Sequence, residues 1–188
     1  MSPRIGLEWQ TILLHAIEIV DQNGFEAITL SSLAKKLNIR SPSLYNHFDG
    51  LKGLREELSL YGMNLLFEEL SQAVKGYSKD EAVHALGKAY IAFSRKHPGL
   101  YEATIQAPDS QNKAGLIAAN LIVQLVTNVL EDLELREEQT LHMVRGLRSL
   151  LHGFASLEQK GAFGLPLELD DSFQLLIEMF LVGVKKGL

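Results

Sequence analysis

Residues 24–50 read GFEAITLSSLAKKLNIRSPSLYNHFDG, and the fold turns on how this stretch is divided. Thr29 is a good helix N-cap, and Leu30, Leu33, Ala34 and Leu37 follow at helical spacing until Asn38-Ile39 breaks the run. Ser41 is placed to cap a further helix with Pro42 at its first position, where a missing amide proton costs nothing. That helix is expected to run to Phe48, with Asp49-Gly50 ending it. Two short helices, 29–37 and 41–48, joined by a tight turn have the spacing of a helix-turn-helix.

The second helix crowds polar side chains into a chain otherwise rich in leucine. Leu44 and Phe48 are expected to face inward and anchor it. Ser31, Ser32, Ser43, Tyr45, Asn46 and His47 are then left to reach phosphates or base edges, while the helix starts at Thr29 and Ser41 offer free amide protons and partial positive charge. On spacing alone, a solvated polar face on a small helical domain explains these residues equally well.

Outward from this stretch the helical period continues almost everywhere, and the alternation that marks strands is missing. A first helix is expected over residues 8–23, with Trp9, Ile12, Leu13, Ala16, Ile17 and Val20 on one face and Gly24 as its C-terminal cap. A long fourth helix should follow Gly50 to about Lys75, then helices over 79–96, from Pro98 to Ile105, and an apolar one starting near Pro108-Asp109. The last two are expected over 137–160 and 170–186, separated by the glycine- and proline-containing loop GAFGLPLEL. The expectation is an all-α protein of about nine helices.

The residues Gly24 to Ile39, together with Ser41, Leu44, Tyr45, His47 and Phe48, resemble the DNA-binding domain of the TetR family of bacterial transcriptional regulators. The resemblance covers about residues 8–58 and includes the separations as well as the residue types. It implies a helix-turn-helix DNA-binding domain over residues 1–50 and a helical regulatory and dimerisation domain over 51–188. It also implies a DNA interface of Thr29, Ser31, Ser41, Pro42, Ser43, Tyr45, Asn46, His47 and Lys52, docked on a palindromic double-stranded operator. Where the family has a phosphate-clamping lysine at the start of the fourth helix this chain has Leu51, and the adjacent Lys52 is the nearby cation.

TetR-like proteins pair through their last two helices, so the resemblance implies a homodimer through Leu147, Leu150, Leu151, Phe154, Leu157, Phe173, Leu176, Ile177, Phe180, Leu181 and Val184. Such stripes at three-four spacing are equally the ordinary core of a monomer. The family's regulatory domain encloses a small-molecule effector, for which Tyr61, Leu65, Tyr90, Phe93, Tyr101, Ile105, His142, Arg145 and Ser149 are the candidate lining; Asn120, Gln124 and His152 are further polar candidates. The stretches HPGLYEA and LLHGFASLEQKGAFGLPLELDDSFQLLI resemble the subset whose C-terminal domain is named for a Trp-His-Gly motif, with Leu151 standing in place of the tryptophan.

Composition narrows the classes. The chain of 188 residues has no cysteine, which removes disulfides and thiolate chemistry and fits a reducing compartment. A net charge of −5, divided as −1 over residues 1–60 and −4 beyond, argues against a protein that coats nucleic acid non-specifically. No phosphate-binding glycine loop, nucleophile elbow or zinc-binding His-Glu pair occurs, and the six histidines are scattered, so an enzyme, a metal site and a cofactor are not expected. No signal peptide is expected, and the apolar window GLIAANLIVQLVTNVL, shorter than a membrane span, reads as a buried helix with one polar stripe. Together with the absence of a signal peptide, the resemblance implies a cytoplasmic, ligand-responsive repressor without membrane contact. The alternative is a helical protein-interaction module whose helix-turn-helix does not bind DNA.

Overall fold

The computed structural model describes residues 8–131, 133 and 136–186, and every regular element among them is helical. In chain order these are α1 (Trp9–Asn23), α2 (Leu30–Lys36), α3 (Gly50–Ala73), α4 (Lys79–Lys96), α5 (Pro98–Ala103), α6 (Lys113–Glu131), α7 (Glu137–Gln159) and α8 (Leu169–Lys185), with two 3₁₀ helices at Phe25–Ala27 and Ser41–Asn46. Counting the 3₁₀ helix Ser41–Asn46 gives the nine expected helices, and Phe25–Ala27 adds a single turn. The chain forms two compact units. Among the described residues, one contains 8–63 together with His97–Leu116, and the other contains Asn64–Lys96 and those within 117–186.

The first unit is organised by α1, whose buried face of Ile12, Leu13, Ala16, Ile17, Ile19 and Val20 follows the helical period of the sequence. Gly24 ends the helix at φ +87°, a left-handed backbone that a side chain would strain, and its N–H returns to the Val20 carbonyl. Ile28, Leu33, Leu44, Leu54 and Leu58 are fully buried in this unit's core. At about 1.5–3 kcal/mol for each fully buried aliphatic side chain, this cluster is what holds the short elements in place, since α2 is too short to persist alone.

In the second unit α4, α7 and α8 converge on Gly87. A β-carbon there would lie 3.2 Å from Phe173, 3.3 Å from Ile177 and 3.5 Å from Leu151, so a small residue sets the spacing of the three helices. The ring of Phe154 packs on both Phe163 and Phe173, with centroids 5.0 Å away in each pair. At one end Arg95 on α4 bridges Glu158 of α7 at 2.8 Å and Asp170 of α8 at 2.6 Å, and both carboxylates hold its guanidinium pKa above the ordinary value, Glu158 first. At the other end Lys185 on α8 pairs with Asp80 on α4.

Three local expectations are corrected. The segment read as an α-helix from a Ser41 cap to Phe48 is a 3₁₀ helix that ends at Asn46; Arg40 holds the cap position without a side-chain bond and Ser41 is the first helical residue. With Pro42 unable to donate and only six residues to wind, the i to i+3 pattern closes sooner than the α pattern. The apolar helix begins at Lys113 rather than near Pro108, because Asp109 accepts the Gln111 N–H and Asn112 accepts the Gly115 N–H, which makes Asn112 the local start signal. Nor is that helix buried: only Gly115, Ala118, Val129 and Leu130 are, with Asn120, Gln124 and Asn128 exposed. With 19 residues α6 is long and apolar enough, by length and composition, to cross a membrane, yet three amides on its exposed side would each be costly in hydrocarbon.

Candidate nucleic-acid interface

The interface is built on α2 and the 3₁₀ helix Ser41–Asn46. Thr29 caps α2 with a reciprocal pair: its hydroxyl accepts the Ser32 N–H at 3.0 Å, and the Ser32 hydroxyl accepts the Thr29 N–H at 3.0 Å. Thr29 and Ser32 therefore spend their hydroxyls on the helix start. Ser31 between them is exposed.

The turn into the recognition segment depends on Asn38, which adopts φ +53°, a left-handed conformation that asparagine tolerates better than most side chains. Ile39 then donates to the Ala34 carbonyl at 3.0 Å, and Ser43 donates to the Arg40 carbonyl at 2.9 Å. With three residues per 3₁₀ turn, positions three apart align in columns. Leu44 is fully buried and Ser41 half-buried, while Pro42 and Tyr45, and Ser43 and Asn46, form two exposed pairs. His47 is exposed as well, and Phe48 turns back into the core, 6% exposed, against Trp9.

Tyr45 is 62% exposed, an unusual position for a large ring next to fully buried Leu44. Its ring can lie on sugar and phosphate while the phenol donates to a phosphate oxygen, and Ser43, Asn46 and His47 can meet base edges or phosphates beside it. The anchors Leu44 and Phe48 fix the direction in which this row faces.

Charge around the row is sparse. Lys36 is spent on Glu18 at 2.9 Å, and that ammonium, by hydrogen bond and charge, holds the Glu18 carboxyl below its ordinary pKa. Arg55 is spent on Glu26 at 2.7 Å and lies over the Phe25 ring. Lys52 has a side chain 78% exposed and a long 3.6 Å contact with Glu56 one turn on. Lys35, in the last turn of α2, and Arg40, at the cap position before Ser41, are further exposed cations that flank the turn.

The remaining candidates divide between the units. Tyr61, Tyr101 and Ile105 belong to the first, with Tyr101 1% exposed in its core. Leu65, Tyr90, Phe93, His142, Arg145 and Ser149 belong to the second, where Tyr90 and Phe93 are core and His142, Arg145 and Ser149 are exposed along α7. The apolar stripes of α7 and α8 also split. Leu147, Leu151, Phe154, Phe173, Ile177, Leu181 and Val184 are buried within the unit, whereas Leu150, Leu176 and Phe180 are half-buried and Leu157 is exposed. Leu141, Leu175, Met179 and Val182 extend that exposed set, a group the sequence reading had not named.

Residues 12–58 match the family model described as "Bacterial regulatory proteins, tetR family", and residues 83–180 match the one described as "Tetracyclin repressor-like, C-terminal domain". The chain is 41% identical over 185 residues to a protein of Bacillus subtilis (strain 168) described as the uncharacterized HTH-type transcriptional regulator YobS, covering 98% of this chain and 96% of that one. Among solved structures, a protein of unknown function from Rhodococcus sp. RHA1 superposes with a TM-score of 0.81 at 17% identity, over 96% of this chain and 97% of that one. A TetR variant from Acinetobacter baumannii AYE in complex with minocycline superposes with a TM-score of 0.72 at 16% identity, again over 96% and 97%.

Proposed function

This chain belongs to the TetR family of DNA-binding transcriptional regulators, whose members are typically ligand-responsive repressors, and from that premise we propose how its own residues do the work. Pro42, Ser43, Tyr45, Asn46 and His47 face the major groove of a near-palindromic operator. Ser31 and the exposed Lys52 contact phosphate, and Thr29 and Ser41 set the start of each helix. The observation that carries this reading is the exposed Tyr45 beside buried Leu44 on the six-residue 3₁₀ helix, with buried Phe48 just past its end. Leu44 and Phe48 anchor the segment, and among the described residues no hydrogen bond or ion pair engages the side chains of Ser43, Tyr45, Asn46 and His47.

The dimer is assigned to α7 and α8 of two copies. The exposed residues Leu141, Leu157, Leu175, Met179 and Val182 supply apolar area, and the mid-helix Gly153 has open space where a β-carbon would stand. A glycine in a helix interior costs about 1 kcal/mol relative to alanine, a cost that a close helix crossing offsets. Two copies related by a two-fold axis then present two reading segments to two half-sites. A small-molecule effector, held by the regulatory part of the chain, releases the operator; the minocycline complex of the structural neighbour supports that class of ligand.

A second reading, a helical interaction module that no longer binds DNA, is favoured by the net charge of −5 and by Leu51 in the phosphate-clamp position. A gel shift of the chain against its own promoter separates the two. Tyr45→Ala is expected to abolish specific retardation, a loss on the order of 1–3 kcal/mol per lost contact, with sedimentation unchanged. Retardation equal to that of the parent chain would remove Tyr45 as a reader, and no retardation of any promoter fragment by the parent would favour the interaction module.

A further inference from the structure

Asp21 lies in the last turn of α1, where a carboxylate faces the negative end of the helix dipole and is locally misplaced. Its partners come from a segment far along the chain. One carboxylate oxygen accepts the N–H groups of Gly99 at 3.1 Å and Leu100 at 2.9 Å, and the other lies 2.8 Å from His97 Nδ1. These are the first amides of α5, whose own cap residue, His97, makes no side-chain capping bond. Asp21 therefore caps α5 from another helix, with a side chain only 17% exposed.

The rest of α5 is held as closely. A β-carbon on Gly99 would lie 1.9 Å from the Val20 carbonyl oxygen, so the two backbones touch and only glycine fits. At the far end Glu102 accepts the Phe25 N–H at 3.0 Å, just after the Gly24 turn. On the α3 side, a β-carbon on Gly62 would meet Thr104 at 2.9 Å and the Leu100 carbonyl at 3.1 Å. A six-residue helix has no stability of its own, so it takes its position from these contacts and transmits load to them.

We propose that residues 97–102 are a structural part of the DNA-reading head, and that Asp21 is the positioning residue that pins them to the end of α1. The reading segment rests on α2, Thr29 caps α2, and only the buried Ile28 separates Thr29 from the Gly24–Ala27 turn that α5 clamps. The inference rests on the DNA-reading assignment above.

The test uses the full chain with Asp21→Ala, Asp21→Asn and, as a neighbouring exposed control, Gln22→Ala. Amide hydrogen exchange and anisotropy with labelled promoter DNA are read in parallel. Asp21→Ala is expected to speed exchange across residues 25–48 and 97–103 by about tenfold, leave α7 and α8 unchanged, and weaken operator binding by a similar factor. Asp21→Asn keeps an acceptor for Gly99 and Leu100 and should recover part of both effects, and Gln22→Ala should match the parent. Unchanged exchange over 25–48, unchanged operator affinity in a parent that binds, or faster exchange spread equally over α7 and α8 would each overturn the proposal. Should Asp21→Ala not fold, Asp21→Asn carries the same readouts. If the parent binds no DNA, the DNA-reading assignment fails by itself, and the exchange pattern still decides whether Asp21 is the pin.

Discussion

Trp9, at the first turn of α1, packs its ring on Phe48, with centroids 5.0 Å apart and planes inclined at 55°. This contact ties the start of α1 to the residue that closes the reading segment, so the direction of the Tyr45 row is set by a helix nearly forty positions earlier. Phe48 is 6% exposed. Phe48→Ala should therefore cost about 3–5 kcal/mol of stability and abolish operator binding, with urea unfolding and anisotropy moving together. Tyr45→Ala differs in kind: it should leave the unfolding midpoint within about 0.5 kcal/mol of the parent while removing DNA affinity.

The Thr29–Ser32 cap makes a second, separable prediction. Both hydroxyls are engaged at 3.0 Å, so Thr29→Ala should lower stability by about 1 kcal/mol and loosen α2. Ser31→Ala, at an exposed position with no part in the cap, should leave thermal unfolding unchanged and act only on the salt-dependent part of operator binding. A fall in melting temperature for Ser31→Ala equal to that of Thr29→Ala would contradict this division.

Acidification should loosen the contact between α1 and α2. Glu18 titrates below its ordinary range because the Lys36 ammonium favours the carboxylate. A depressed folded-state pKa means that the pair's contribution is present above the unfolded pKa and is lost as pH falls through the folded one. The effect is therefore full at neutral pH and fades in the acid range, and it is small because the pair is open to solvent. Urea midpoints from neutral to acid pH should fall less steeply for Glu18→Gln than for the parent; parallel curves would count against the pair.

Gly153 tests the association of two copies. Nothing lies within 4 Å of a β-carbon placed there, so Gly153→Ala should stabilise α7 by up to about 1 kcal/mol within one chain. Gly153→Leu should also fold, but its side chain fills the space a partner helix would occupy. Sedimentation equilibrium should shift Gly153→Leu toward monomer; an unchanged dimer constant would place the interface elsewhere.

Much of this was legible in the chain itself. The positions of Leu44 and Phe48 announced which side of the reading segment turns inward, and Thr29 announced the start of α2. The partner of that cap was harder to read, because a serine at the third helical position can bond its own backbone, a phosphate or water, and only its placement selects among them. Likewise, the apolar stripes of α7 and α8 looked uniform. Leu151 and Ile177 became core and Leu157 and Met179 became surface according to which helix faced them.

Helix period, caps and turns are decided within a few residues, where the interacting groups are covalently close and little chain entropy separates them. The sequence by itself therefore determined an all-helical chain, a helix-turn-helix near its start and the polar row on it. Contacts such as Asp21 with Gly99, 78 positions apart, cost loop closure that no local signal records. Only the tertiary structure decided that a carboxylate at the end of α1 caps α5, and that the reading segment winds as 3₁₀, since both depend on which groups the surrounding core brings within hydrogen-bonding reach.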